Sequence, residues 1–512
     1  MREEKLEHGK STTQKIGLIL GPVLFLIVLL FFNFEPEKPI LTRMAAVAIL
    51  MAVWWITDAI PLFATALLPM ILYPLLGILK SNATAPIYFN STIFLFIGGF
   101  MIALTMEKWN LHRRIALFII RLVGGRPYKI VLGFMIAASF LSMWISNTAT
   151  AMMMVPIGLA IVLKMEENFN VSETGKFTTC LMLGIAYGCS MGGIATLVGT
   201  PPNLSFARIF QITFPQANPV SFGTWFIMGL PISAVMIVVV WLMLTKIFFR
   251  LPSNLTVDRS IVNKEYKELG FMSFEEKSVL VIFSLTTILW VFRNRLNFGF
   301  VSIPGWSQLL PHPDLIDDAT VAIFMALIMF LIPTRTQGTK YSTVMGPDVI
   351  TKLPWNIVLL FGGGFALAKG FQVTGLSAFI GNKFSGLAGM PPIIMIFIIC
   401  FGLTFLTELT SNTATTEMIL PILASVAIAM KTNPLLLMIP ATISASCAFM
   451  MPVATPPNAI IFGSGRIRIS EMARAGVFIN IIGVIIITVL FYIIGTVVFS
   501  IDPGVFPEWA QH

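Results

Sequence analysis

Long apolar runs separated by short polar segments extend over almost the whole chain. A helix that crosses a bilayer needs about 20 predominantly apolar residues. Runs that approach this length occur at 16–32, 44–57, 62–79, 92–106, 179–198, 222–249, 278–293, 319–334, 355–370, 433–450 and 473–500. The pattern predicts an all-α polytopic membrane protein with about eleven crossings. Two other apolar stretches, 130–163 and 392–430, are interrupted by polar residues and do not fit simple spans.

The first apolar run, 16–32, has two interpretations. Four basic residues precede it, namely Arg2, Lys5, Lys10 and Lys15. A basic start before an apolar run is typical of a signal peptide, but this run lacks a small-residue cleavage site and continues into Asn-Phe-Glu-Pro at 33–36. We therefore favour a retained first span.

Three blocks of sequence occur twice in the same order. They are Ser-Asn-Thr-Ala-Thr at 146–150 and 411–415, Gly-Gly-Phe at 98–100 and 363–365, and Gly/Ala-Thr-Pro-Pro-Asn at 199–203 and 454–458. The first two separations equal 265 residues (411 − 146 and 363 − 98) and the third is 255 residues (454 − 199). The repetition indicates an internal duplication. With an odd number of crossings, the halves are expected to have inverted topology, from which many secondary transporters build a midplane site.

Each Ser-Asn-Thr block divides an apolar stretch into two short arms. Around the first block the arms, 130–145 and 151–163, have about 16 and 13 residues. Neither arm comfortably spans ~30 Å of hydrocarbon at 1.5 Å per residue. A helical hairpin that enters the membrane, turns at Ser-Asn-Thr and returns fits these lengths better. Non-helical backbone at that depth requires protein or a water-filled cavity around it.

Ser, Asn and Thr are good helix caps, so the returning arms are expected to begin near Thr148 and Thr413. Their free N–H groups and positive dipole ends would then point into the site. Two such ends form a cradle for the two carboxylates of a dianion, without the tight binding that a buried Arg or Lys would cause. A single block is better explained by packing and back-bonding, but the duplicated constellation favours a binding site.

The Thr-Pro-Pro-Asn blocks follow apolar helices at 181–198 and 443–453. Consecutive prolines lack backbone donors and end a helix, which leaves carbonyl oxygens free near Gly199 and Ala454. Free carbonyls beside Ser and Asn side chains suit a hard monovalent cation such as Na⁺.

Composition and charge narrow the class further. The chain is 56% hydrophobic and 11% charged, with a mean hydropathy of +0.88, which excludes a soluble fold. Its net charge of +9 is typical of cytoplasmic loops that face anionic lipid, and no basic domain indicates nucleic-acid binding. The longest polar interval, 250–277, carries the basic residues Arg250, Arg259, Lys264, Lys267 and Lys277, whereas the tail after Arg474 holds Asp502 and Glu508 and no basic residue. The N-terminus is therefore expected in the cytoplasm and the C-terminus outside the cell membrane.

Neither cysteines nor histidines form a reactive constellation in the sequence. The cysteines, Cys180, Cys189, Cys400 and Cys447, lie in apolar runs and are interpreted as core residues. The histidines, His8, His112, His312 and His512, are far apart, so no HExxH-type motif exists. With no enzyme motif, we expect a protein that is not an enzyme and has no cofactor.

At these residues the chain resembles the divalent anion/sodium symporter family, which includes carriers of succinate, malate, fumarate, 2-oxoglutarate and citrate. The resemblance runs from Trp-Ile-Thr-Asp-Ala-Ile-Pro at 55–61 to the final span, and the paired Ser-Asn-Thr signature carries it. It implies a homodimer whose protomers have a scaffold domain and a transport domain with two re-entrant hairpins. It also implies an elevator-like movement, coupled to sodium or to exchange of another dicarboxylate.

The resemblance implies a division of the chain into six segments. These are an N-terminal cytoplasmic segment (1–15), scaffold helices of repeat 1 (16–128), the hairpin and transport helices of repeat 1 (129–249), a cytoplasmic linker (250–277), scaffold helices of repeat 2 (278–390), and the hairpin and transport helices of repeat 2 (391–512).

The resemblance also implies which residues bind the substrate and which bind sodium. The substrate-binding residues would be Ser146, Asn147, Thr148, Thr200, Ser411, Asn412, Thr413 and Thr455. A first sodium site would use Ser142, Ser146, Asn147 and the Gly199 backbone. A second would use Thr407, Thr410, Asn412 and the Ala454 backbone.

Four ionisable residues and a run of three glycines stand outside this assignment. Glu417 follows the second tip where repeat 1 has Met152, and we expect it to be solvated or at the lipid interface, the alternative being an effect on coupling. Asp58 is favoured as a helix-end residue over an ion site. Lys369 and Glu408 have no partner assignable from sequence. The glycines at 362–364 are expected to allow close helix packing.

Three other functions compete with a dicarboxylate carrier. A carrier of sulfate or another oxyanion remains open, because neutral helix-end cradles accept several anions. A membrane-embedded enzyme would need clusters of His, Asp or Glu that the sequence lacks. An anion channel is disfavoured, because a channel seldom needs two inward-pointing hairpins with cation ligands. Steady flux above ~10⁴ ions per second per protein would indicate a channel.

Overall fold

The structure is a computed structural model that describes residues 10–123, 125–167, 171–251, 260–297, 302–336, 341–383, 386 and 389–511. Residues 1–9 of the N-terminal segment, 252–259 of the linker, and the two histidines His8 and His512 lie outside the described residues.

Helices make up 74% of the structure, which confirms the all-α prediction. The first half contains α1 (Thr12–Phe31), α2 (Pro39–Thr57), α3 (Leu62–Thr65), α4 (Leu68–Leu75), α5 (Ser81–Tyr88), α6 (Ser91–Lys108), α7 (Leu111–Val123), α8 (Pro127–Ser142), α9 (Asn147–Glu166), α10 (Val171–Gly193), α11 (Pro201–Thr213) and α12 (Phe222–Leu242). A π-helical segment, Met243–Phe248, continues α12.

The second half is also mostly helical. It contains α13 (Ser260–Glu268), α14 (Phe274–Val291), α15 (Asp318–Leu331), α16 (Val349–Lys352), α17 (Trp355–Thr374), α18 (Leu376–Lys383), α19 (Pro392–Leu406), α20 (Asn412–Ala429), α21 (Leu435–Ala445), α22 (Pro456–Gly463), α23 (Ile469–Leu490) and α24 (Thr496–Val498). A π-helical segment, Phe491–Gly495, precedes α24. Two short antiparallel strands, β1 (Leu296–Asn297) and β2 (Ser302–Ile303), lie in the segment between α14 and α15.

Eight helices of the described chain are long and apolar enough to cross a membrane. Two of them are the returning arms α9 and α20, with 20 and 18 residues. The prediction of about 13 residues for the first returning arm was therefore too short. The reason is that the helix starts at Asn147, directly after the serine cap, and continues past the apolar run to Glu166.

Close glycine contacts hold α8 against α10. A Cβ atom on Gly192 would lie 2.1 Å from the Ser139 carbonyl oxygen, and one on Gly188 would lie 2.9 Å from that of Met135. The glycines of α17 behave in the same way, since a Cβ atom on Gly363 would lie 2.4 Å from that of Ala66. The packing role predicted for residues 362–364 is confirmed, because only glycine permits this approach.

The break after α2 and the buried cysteines agree with two further predictions. Asp58 is the C-cap of α2 in the left-handed conformation, with φ of 49°, which confirms its position at a helix end. The four cysteines are all free and buried, as core residues should be. Lys369, left without a partner by sequence reasoning, donates to Gln372 Oε1 at 2.7 Å.

Candidate anion and cation site

One cavity of about 870 Å³ lies where the two repeats meet. All of the predicted substrate-binding residues line it, namely Ser146, Asn147, Thr148, Thr200, Ser411, Asn412, Thr413 and Thr455. Residues separated by up to 309 positions (455 − 146) are thus brought together. The structure confirms their proximity, while their roles in binding stay predictions.

Four helices begin at this cavity. Helices α9 and α20 start after the tip serines, Ser146 and Ser411, and helices α11 and α22 start after Thr200 and Thr455. Ser146 Oγ accepts from the Ala149 amide at 3.2 Å, whereas Ser411 makes no cap bond within the described residues. The starts of α9 and α20 direct unpaired N–H groups and a positive dipole end towards the cavity. Helices α11 and α22 begin with two prolines, which have no N–H group, and contribute only their positive dipole ends. The arrangement suits an anion with two charged ends.

The first predicted cation site is partly assembled. Ser142 is fully buried behind the first tip and its hydroxyl donates to Asn147 Oδ1. A Cβ atom on Gly193 would lie 3.0 Å from Asn147 Oδ1 and 3.1 Å from the Gly199 carbonyl oxygen. Both oxygens therefore surround a position that carries no side chain, which leaves room for a small cation among oxygen ligands.

The second predicted cation site has a related core. Thr407 Oγ1 lies 2.6 Å from Asn412 Oδ1 and 2.8 Å from the Ala445 carbonyl oxygen. One hydroxyl proton can serve only one of these oxygens at a time, so the cluster keeps free lone pairs. The Thr410 hydroxyl instead contacts Thr415 Oγ1 at 2.5 Å, and Ala454 lines the cavity.

The asparagine of each Thr-Pro-Pro-Asn block supports the helix break before it. Asn203 Nδ2 donates to the carbonyls of Gly193 at 3.2 Å and Thr196 at 2.7 Å. Asn458 Nδ2 donates to those of Ala448 and Met451, both at 3.1 Å. Some of the backbone carbonyl oxygens that were expected to be free near these breaks therefore accept hydrogen bonds from the asparagine side chains. The sequence showed these asparagines within the repeated motif but did not reveal their partners.

Glu408 is a structural residue of the second tip that sequence reasoning left unassigned. Its carboxylate accepts bonds from the backbone amides of Phe449, Met450 and Met451 at 2.6, 2.9 and 3.0 Å, and from Asn480 Nδ2 at 2.8 Å. The side chain is 2% exposed. It therefore joins the second tip to the chain between α21 and α22. A lone acid in an apolar run was the only signal available in the sequence.

The expectation that Glu417 is solvated or at the lipid interface was wrong. The residue is fully buried, and Ser205 Oγ donates to its Oε1 at 3.0 Å. Its counterpart in repeat 1, Met152, is 56% exposed. The difference arises because α20 is covered by α11, α17 and α18, whereas the corresponding face of α9 is left open.

Polar residues from the start of the chain line the other side of the cavity. They include Lys10, Gln14 and Asp58, with Asn356 from α17. Lys10 Nζ donates to the Ala59 carbonyl oxygen at 3.3 Å. Partial burial raises the pKa of the Asp58 carboxyl, and a hydrogen bond with Gln14 opposes that rise. These contacts join the N-terminal helix to the break between α2 and α3.

An all-helical membrane fold with duplicated polar tips at a shared cavity defines a transporter, and the comparisons with known proteins identify which kind. The family described as "Sodium:sulfate symporter transmembrane region" matches residues 13–501. The chain belongs to this family of divalent anion:sodium symporters. Since the family consists of transporters, the protein is not an enzyme.

Similar proteins include sequence relatives that match along almost their whole length. The "Sodium-dependent dicarboxylate transporter SdcS" of Staphylococcus aureus strain MRSA252 is 44% identical over 511 residues, which cover 98% of this chain and 95% of the relative. That of strain bovine RF122 is 43% identical over 509 residues, with the same coverage. The similarity thus includes both repeats and the segment between them.

Two solved structures share the fold at low sequence identity. MtrF of Neisseria gonorrhoeae, described within a class of antimetabolite efflux pumps, has a TM-score of 0.55 at 14% identity, covering 81% of this chain and 84% of MtrF. The YdaH transporter of Alcanivorax borkumensis has a TM-score of 0.54 at 12% identity, covering 80% and 86%. These similarities confirm a transporter fold.

Proposed function

We propose that the protein is a secondary active carrier of four- to six-carbon di- and tricarboxylates, coupled to sodium and located in the plasma membrane. The observation that carries this proposal is the meeting of both Ser-Asn-Thr tips and four helix starts at one cavity. The tips carry hydroxyl and amide donors and no cationic side chain, so an anion is bound without being trapped. Relatives named sodium-dependent dicarboxylate transporters support the substrate class.

Sodium coupling is supported by the two oxygen clusters behind the tips. Ser142 with Asn147, and Thr407 with Asn412, place hydroxyl and amide oxygens together beneath each helix start. A cation bound there would hold each asparagine amide in the orientation that faces the anion. Substrate and sodium would therefore bind cooperatively, since each ion orders part of the site of the other.

Alternating access is supported by a second, smaller cavity of about 180 Å³. Its lining includes Ser91, Thr92 and Leu95 at the start of α6. Their counterparts 265 residues later (356 − 91) are Asn356, Ile357 and Leu360, which line the large cavity. Equivalent helix starts of the two repeats thus line one wide and one narrow cavity. We infer that during transport the wide cavity narrows while the narrow cavity widens. The change would come from an elevator-like movement of 129–249 and 391–512 against the scaffold helices.

The charge pattern indicates to which side of the membrane the wide cavity opens. Lys10 and Gln14 line it, and the positive-inside rule assigns the N-terminus to the cytoplasm. The proposed state is therefore inward-facing, with the C-terminus outside. We also propose that the protein is a homodimer, because it resembles the family. Measurement of its molecular mass in detergent tests this proposal.

Uptake into proteoliposomes tests the function. Purified protein would be assayed with radiolabelled succinate, malate, citrate, 2-oxoglutarate and sulfate, with and without a sodium gradient and internal dicarboxylate. Sodium-driven succinate uptake into empty vesicles is expected. Uptake that requires internal dicarboxylate and ignores sodium would establish an exchanger instead. Uptake of sulfate and of none of the carboxylates would favour an oxyanion carrier. The word sulfate in the description of the family supports that alternative.

A further inference from the structure

Glu417 is an acidic side chain enclosed between both repeats, outside the proposed anion and cation sites. It lies on α20, five residues after Asn412 (417 − 412), and is fully buried. Its carboxyl oxygen Oε1 accepts from Ser205 of α11. The other oxygen, Oε2, is buried without a hydrogen-bond partner in the described chain. Such a position is costly for an ionised carboxylate.

Helix α17 closes the site from the remaining side. A Cβ atom on Gly364 would lie 2.4 Å from Glu417 Cδ and 2.5 Å from its Oε2. The unpartnered oxygen therefore lies against bare backbone, with no side chain to reach it. This contact joins α17, a proposed scaffold helix, to α11 and α20, which are proposed transport helices.

Charged groups on the neighbouring helices do not compensate the carboxyl. Tyr88 is close enough to interact electrostatically, but its hydroxyl donates to the Ala66 carbonyl. The titratable or charged residues on α2, α11, α17 and α18 are Arg43, Arg208, Lys369 and Lys383. Arg43 donates to the Leu76 carbonyl and Lys369 to Gln372, Lys383 lies over the Phe379 ring, and Arg208 lines the small cavity. α21 carries no titratable side chain.

We propose that Glu417 is a proton-binding site, a carboxylic acid held neutral between α11, α17 and α20 whose ionisation arrests transport. The proton resides on Oε2, Oε1 keeps the Ser205 bond, and on ionisation the proton passes to solvent. A charge at a dry contact between moving and fixed helices would need water or a cation that the contact excludes. Transport would therefore decline with rising pH beyond the titration of the substrate itself.

Infrared spectroscopy tests the protonated acid directly. The wild type minus Glu417→Gln difference spectrum at neutral pH is expected to show the carbonyl stretch of a protonated carboxylic acid. Glu107→Gln, which alters a half-buried acid on α6, supplies the matched control and should leave that band in place. Absence of the band from wild-type protein would overturn the proposal. This measurement needs no transport, so it decides the proton site even if the proposed function fails.

Uptake measured between about pH 6 and pH 9 tests the consequence, which rests on the proposed function. The uptake ratio of Glu417→Gln to wild type is expected to rise up to tenfold per pH unit once Glu417 ionises. Both proteins meet the same substrate species, so the ratio removes substrate titration. Ser205→Ala, which removes a donor to the carboxylate, should shift the wild-type decline to higher pH. A constant uptake ratio, or an unshifted pH profile in Ser205→Ala, would overturn the proposal that ionisation of Glu417 arrests transport.

Discussion

Thr407 Oγ1 lies 2.6 Å from Asn412 Oδ1, so a hydroxyl behind the second tip orients the amide that lines the cavity. Thr407→Val removes this contact and keeps the side-chain shape. A lost neutral hydrogen bond costs about 1 kcal/mol, so the sodium concentration for half-maximal uptake should rise about fivefold. Thr407→Ser, which retains the hydroxyl, is the control. Unchanged sodium dependence in the valine variant would contradict a cation role for Thr407.

Asn147→Ala and Asn412→Ala should each abolish uptake. Both amides line the cavity at the start of a returning helix, and alanine offers neither a donor to the anion nor an oxygen to a cation. Thermal unfolding should show that both variants remain folded, because the side chains are partly open to the cavity. Wild-type uptake by both purified variants would refute the cradle.

Glu408→Ala should destabilise the protein more than any exchange at the cavity surface. The substitution leaves three backbone amides and the Asn480 side chain without their acceptor. Each of these four unsatisfied buried donors costs about 1–3 kcal/mol, so a total loss of at least about 4 kcal/mol is expected. Glu408→Gln keeps one acceptor oxygen and should lose less. Denaturation in detergent measures both, and equal stability of the alanine variant and wild type would disprove the structural role.

Gly192→Ala should disturb the packing of α10 on α8. The new Cβ atom would meet the Ser139 carbonyl oxygen at 2.1 Å, and separating the two helices costs about 1–3 kcal/mol. Gly402→Ala offers the matched control, because its Cβ atom would have no neighbour within 4 Å. Comparison of their melting temperatures checks the prediction, which fails if both variants melt together.

Arg114 and Glu276 form a buried ion pair between α7 and α14. Arg114 Nε and Nη2 contact the two carboxyl oxygens at 2.5 and 3.0 Å. Arg114→Met leaves the acid buried and unpaired, which should cost about 3–5 kcal/mol. The double variant Arg114→Met/Glu276→Leu removes both charges and should recover most of the loss. Additive losses measured by chemical denaturation would show that the pair does not interact.

Sequence reasoning predicted the helix starts at the tips within one residue. It expected them near Thr148 and Thr413, and the structure begins them at Asn147 and Asn412. This succeeded because capping is local, since a Ser-Asn-Thr run both ends one helix and begins the next. The Pro-Pro breaks were predictable for the same reason, as proline acts on its own backbone and on the turn before it.

The same reasoning failed where a side chain depends on distant helices. Glu417 was expected to be solvated or at the lipid interface, and it occupies the position at which repeat 1 has Met152. Its burial is decided by Ser205, 212 residues earlier (417 − 205), and by Gly364 of α17. Glu408 is a similar case, with partners up to 72 residues away (480 − 408). Duplicated sequence implies related backbones, but each copy packs against different neighbours.

The sequence by itself determined that the chain is embedded in a membrane, that it is duplicated, and that two polar tips interrupt its helices. Those properties follow from hydrophobicity and backbone chemistry, which act over one or two turns. Only the tertiary structure decided that both tips meet at one cavity and that Glu417 is enclosed while Met152 is exposed. Burial and hydrogen-bond partners arise from helices far apart in the chain, so no local pattern could reveal them.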